Sequence, residues 1–60
     1  MKLRNVNSPE EIIEILQFNY DGEGSCLYVY NETSKIYEMS LKDLRNGLFG
    51  ENGNPTYHLL

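Results

Sequence analysis

One cysteine and one histidine in sixty residues leave this chain without a covalent or metal staple. Cys26 has no intrachain partner, and Cys26 with His58 falls short of the four ligands that a closed zinc site takes. A chain this short removes only about 60% of its unfolded surface from water. For 7.0 kDa the unfolded surface is roughly 10,000 Å², so about 6,000 Å² is buried on folding and ~3,500 Å² of that is apolar. At ~25 cal/mol per Å² this supplies ~87 kcal/mol, against an ordering cost of roughly 90 kcal/mol. The two cancel, so the remaining source of stability is a second subunit, and the expected form is a symmetric homodimer.

The pattern along the chain predicts a single small α+β domain over residues 1–60. In "NSPEEIIEILQF", Ser8 is placed to cap, Pro9 suits a first helical position, and Glu11 completes a Ser-x-x-Glu capping box. Ile12, Ile13, Ile15 and Leu16 then make a wide apolar face at helical spacing, which predicts a helix over 9–18. "YDGEGS" breaks it. "CLYVY" and "KIYEM" read as a hairpin, 26–31 with 35–40, in a register that sets Tyr30 against Lys35, Tyr28 against Tyr37 and Cys26 against Met39. A second helix is predicted over 41–48, capped by Ser40, with Leu41, Leu44 and Leu48 on one side and Gly47 or Gly50 at its end. "ENGNP" carries a strong Asn-Gly turn signal, and "TYHLL" and "KLRNV" read as terminal strands. The predicted order is β-α-β-β-α-β, both helices lying on one face of an antiparallel sheet.

Charge excludes some functions. The net charge is −4, and Glu10, Glu11, Glu14, Asp21, Glu23 and Glu32 fall in a stretch with no Lys or Arg. Lys2, Arg4, Lys35, Lys42 and Arg45 are too scattered for a polyanion footprint, so direct nucleic-acid binding is not expected. No charged segment followed by an apolar run stands at the start. The longest apolar stretch, Cys26 to Tyr30, is far too short to cross a bilayer. With an unpaired cysteine this points to a cytoplasmic protein that does not engage membranes. Asn31-Glu32-Thr33 fits a glycosylation acceptor but reads as a turn.

Catalytic groups are sparse. Cys26 and His58 are the one candidate nucleophile and base, and they could meet only if the closing strand lay beside the first hairpin strand; Cys26 also sits in an apolar run, the setting of an inert thiol. Asp21-Gly22-Glu23-Gly24-Ser25 alternates oxygens but lacks the closing bidentate acid of a calcium loop. No phosphate-cradling glycine motif is present. No cofactor, metal or enzymatic activity is therefore expected.

Tyrosine supplies five of the seven aromatic residues, and it suits surfaces with one buried and one wet end. Two helices can cover one face of a small sheet, so Leu27, Val29 and Ile36 are expected beneath them, with Tyr28, Tyr30, Tyr37 and Met39 meeting another protein. The two faces could trade places without removing the need for a second cover. Glu10, Glu11, Glu14 and Glu23 are the expected contact or steering acids toward a basic surface. The expected function is a non-enzymatic protein-binding module, a homodimeric inhibitor or regulator of a larger protein of the kind phages and mobile elements direct at host enzymes or defence systems. The alternative is a regulatory or structural subunit completed by a hetero-partner.

Overall fold

The computed structural model describes residues 1–31 and 33–60; Glu32, in the expected hairpin turn, lies outside the described residues. The chain forms an α+β fold with strands β1 (Lys2–Asn5), β2 (Ile12–Asn19), β3 (Ser25–Tyr30) and β4 (Tyr37–Ser40), helix α1 (Leu41–Phe49), and strand β5 (Tyr57–Leu59). All pairings are antiparallel and the sheet order is β4-β3-β2-β1-β5. The first four strands form a meander. The helix then carries the chain from one edge of the sheet to the other.

The helix predicted over 9–18 is not formed; most of that segment is the central strand β2. The residues that mimic a helix start make a turn instead. The Glu11 N–H donates to the Ser8 carbonyl at 2.8 Å, and Pro9 occupies the second position of the turn, where its fixed φ is equally at home. The Asn5 side-chain oxygen accepts from the N–H groups of Asn7 (2.9 Å) and Ser8 (3.2 Å) and ties the loop to β1. Beyond the turn, the β-branched Ile12, Ile13 and Ile15 suit an extended chain, and β2 has a partner on each side, Leu3 facing Ile13 and Tyr28 facing Ile15. The element order is therefore β-β-β-β-α-β, not the split arrangement predicted.

The hairpin keeps its expected register. Cys26 faces Met39 and Tyr28 faces Tyr37, but the second arm begins at Tyr37, so Lys35 and Ile36 lie outside the strand. Asn31 leaves β3 with φ of 45°. Its backbone N–H donates to the Ile12 carbonyl at 2.7 Å, and its side-chain oxygen accepts from the Ile12 N–H at 2.8 Å. Side chain and backbone together thus imitate one further rung of the β2–β3 ladder.

Helix α1 is where the sequence places it. The Ser40 hydroxyl accepts from the Asp43 N–H at 3.0 Å, and the Gly50 N–H closes the other end on the Asn46 carbonyl at 2.7 Å. Four inter-strand spacings separate β4 from β5, about 19 Å, and nine helical residues span ~13 Å. The connection therefore has to lie across the sheet, and it buries Leu44 onto Leu3, Ile13, Ile15 and Cys26. Tyr28, Tyr30, Met39, Leu41, Leu48 and Tyr57 close around that cluster. Asn52 and Gly53, at φ 58° and 76°, make the Asn-Gly turn as a type I′ pair.

Two glycines set how closely the helix seats. A Cβ on Gly47 would stand 2.8 Å from Cδ2 of Tyr57, and one on Gly50, at φ 74°, would run into the backbone of Asn54. Gly47→Ala should therefore lower stability by about 1–2 kcal/mol, overpacking outweighing the better helix propensity of alanine. Gly50→Ala should cost more, about 3 kcal/mol, because backbone strain adds to the clash. Urea unfolding of both variants measures the order.

Candidate interaction surface

Among the described residues there is one helix, so one face of the sheet receives a second layer of secondary structure and the other receives none. The Cα envelope measures 29 × 29 × 14 Å, the thickness of a sheet and one helix packed about 10 Å away. Strand alternation fixes which side chains lie on the open side. From β5 to β4 the positions are His58, Arg4 and Lys2, then Ile12, Glu14 and Gln17, then Val29, Leu27 and Ser25, and finally Glu38 and Ser40. Val29 is only 9% exposed, yet it is no member of the cluster beneath the helix.

This open side is apolar at its middle and charged around it. Ile12, Leu27 and Val29 form the middle. Lys2 Nζ lies 3.7 Å from Glu14 Oε2, both side chains well exposed, a geometry that contributes little to stability. The Ser25 hydroxyl donates to Glu38 Oε2 at 2.9 Å. A pocket of about 160 Å³ opens among Lys2, Ile12, Glu14 and Asn31.

The expected contact residues lie on the opposite side. Tyr28, Tyr30 and Met39 pack against the core cluster beside the helix, and Leu27 and Val29 are on the open side, so the faces are exchanged relative to the expectation. Cys26 and Met39 are cross-strand partners and are small and flexible enough to seat a helix, whereas the tyrosines cover the corner that the diagonal helix leaves bare. Tyr30 and Tyr37 meet edge to face at 5.3 Å, Tyr28 and Tyr37 stack at 5.7 Å, and Lys35 Nζ stands 5.1 Å from the centre of the Tyr37 ring. These rings are half-buried, not enclosed.

The acids are dispersed. Glu10 is exposed in the turn before β2, while Glu11 is half-buried and its carboxylate accepts from the Asn5 side-chain amide at 3.3 Å. Glu14 is paired with Lys2 on the open side, and Glu23 is exposed in the loop beyond the other end of β2. The length of β2, ~24 Å, separates the two ends by several Debye lengths at physiological salt, about 8 Å each. Glu10, Glu11, Glu14 and Glu23 are not brought together into one acidic surface.

Cys26 and His58 are kept apart. Cys26 is fully buried on the helix side, and His58 is exposed on the open side of a strand three places away, about 14 Å by strand spacing alone. Burial first, and then the nearby Glu38 carboxylate, push the Cys26 thiol above its ordinary value, opposite to what a thiolate nucleophile needs. Among the described residues, no group of three or more His, Cys, Asp and Glu side chains is placed to hold a metal. None of the described helices is long and apolar enough to cross a membrane. No family model, curated protein or solved structure matches the chain.

Sequence reasoning missed Lys2 and Ile12 as surface partners of Leu27 and Val29. The one signal available was that Val29 and Leu27 alternate with the tyrosines, which puts them together but leaves the side undecided.

Tyr28 and Tyr57 are both pushed up to about 12, by burial first and by the adjoining Tyr30 second. A phenol that holds its proton longer when folded contributes stability that is intact below the unfolded value of about 10 and is lost as pH rises beyond it. Phenolate absorbance should accordingly show two of the five tyrosines titrating near pH 12, with stability declining between pH 10 and 12. Replacing Tyr28 and Tyr57 by phenylalanine should flatten that decline.

Proposed function

We propose that the chain is a non-enzymatic, cytoplasmic protein-binding module, a homodimeric inhibitor or regulator of a larger protein. The observation that carries this reading is the open side of the sheet. Half-exposed Ile12 and Leu27, seated around a buried Val29, form an apolar centre ringed by Lys2, Arg4, Glu14 and Glu38, the layout of an interface core within a polar rim. A sheet that is apolar on both sides, with a helix on one only, leaves surface that a second protein would remove from water. The matched occupant is a flat protein surface with an apolar centre and mixed charge at its margin. The rim carries both signs, so neither a nucleic-acid backbone nor an anionic membrane is favoured. The buried, proton-retaining Cys26 supports binding over chemistry, and a host protein approached by a phage or mobile-element antagonist remains the kind of target that suits so small a binder.

The open sheet edges favour a second reading, a subunit completed by a strand from a hetero-partner. Comparative capture from lysate separates the two. A partner recovered by the wild-type chain should be reduced at least tenfold with Leu27→Glu, whose site is half-exposed, while the thermal midpoint shifts little. Retention of that partner by Leu27→Glu, with loss on Leu59→Lys at the β5 edge, would favour the strand-completed subunit.

A further inference from the structure

The two edges of the sheet are unequal. β4 carries Glu38 as one of its two middle residues, so antiparallel pairing of β4 with a second β4 about that point would set two carboxylates opposite each other, which opposes that register. No carboxylate or ammonium group lies within β5.

The hydrogen-bond parity of β5 is known from its bonds to β1. The Val6 N–H donates to the Thr56 carbonyl at 2.8 Å and the Leu60 N–H to the Lys2 carbonyl at 2.9 Å. His58 and Leu60 therefore turn their inter-strand groups toward β1, as the Thr56 carbonyl does while its N–H donates to the Gly47 carbonyl at 2.8 Å, and the intervening Tyr57 and Leu59 turn their N–H and C=O groups to the open edge. A groove of about 400 Å³ lies along this edge, lined by Leu48, Phe49, Tyr57, His58 and Leu59. Phe49 is 69% exposed, Leu59 63% and Leu60 55%.

We infer that β5 pairs antiparallel with β5 of a second copy of this chain about a two-fold axis through His58, giving one continuous ten-stranded sheet with both helices on the same side. The inference deepens the homodimer part of the proposed function and rests on it. In this register Tyr57 of each copy faces Leu59 of the other. Both residues have outward N–H and C=O groups, so each of the two pairs exchanges two hydrogen bonds. Tyr57 and Leu59 also share the helix side, so the two apolar grooves merge across the axis. His58 faces its counterpart at a non-hydrogen-bonded position on the open side.

The area suits a self-association of modest strength. Phe49, Leu59 and Leu60 each expose on the order of 100 Å²; with Tyr57, His58 and the strand edge, two copies bury roughly 1,000 Å², the lower bound for specific association. The apolar centre of the open side stays uncovered in such a dimer, which would present two copies of it to a larger partner.

The test is sedimentation equilibrium of the whole chain across 1–500 μM, with amide hydrogen exchange at both extremes. The expected mass rises from 7.0 kDa to twice that value, with the Tyr57 and Leu59 amides gaining protection at high concentration. Leu59→Lys should weaken association at least tenfold and leave thermal unfolding of the monomer unchanged, while Leu27→Glu should leave association intact. A monomer at 500 μM overturns the inference. So does a dimer that survives Leu59→Lys or leaves both amides unprotected. A monomer that still captures a partner through Leu27 refutes the edge pairing alone, whereas an edge dimer whose partner capture ignores Leu27→Glu refutes the open-side reading alone.

Discussion

Leu44, lowered by a nine-residue helix onto Leu3, Ile13, Ile15 and Cys26, is the contact from which the rest of the structure follows. It is a buried residue of α1, and the four residues beneath it come from three different strands. A helix that must run from one edge of the sheet to the other has one place to lie, and lying there it shields one side. The 14 Å thickness of the molecule and the half-exposed tyrosines at the uncovered corner are consequences of that placement. So is the bare opposite side.

Much of the architecture is legible in the sequence because local chemistry and the final fold agree. Ser40 as a cap, Gly50 as a stop and Asn52-Gly53 as a turn demand specific backbone geometry, and the structure supplies it. The Cys26–Met39 and Tyr28–Tyr37 pairings follow from symmetry about the hairpin turn. The segment from Ser8 to Phe18 misleads for two physical reasons. Ser-Pro-Glu-Glu satisfies a β-turn as readily as a helix start. The bulge between Ile15 and Gln17 inserts one residue, so the side-chain positions toward the helix run Ile13, Ile15, Phe18, a spacing that imitates helical periodicity instead of alternation.

The side of the hairpin that takes the helix was not legible. Leu27 and Val29 are as apolar as Cys26 and Met39, and alternation groups each pair without ranking them. The deciding contacts are long-range: the Leu41 N–H reaches the Gly24 carbonyl at 3.1 Å and starts the helix over the Cys26 side. The dispersal of Glu10, Glu11, Glu14 and Glu23 has the same origin. A helix would have gathered several of them within a few turns, whereas an extended β2 holds its two ends apart and spreads their field.

Nuclear Overhauser spectroscopy of the backbone tests this arrangement most directly, because everything rests on residues 12–19 being a central strand. The fold predicts strong Hα–Hα contacts between Ile13 and Tyr30 and between Ile15 and Tyr28, together with contacts from the Leu44 methyls to Ile13. Consecutive amide–amide contacts through residues 10–18, with helical Cα shifts and no cross-strand Hα pairs, would contradict it.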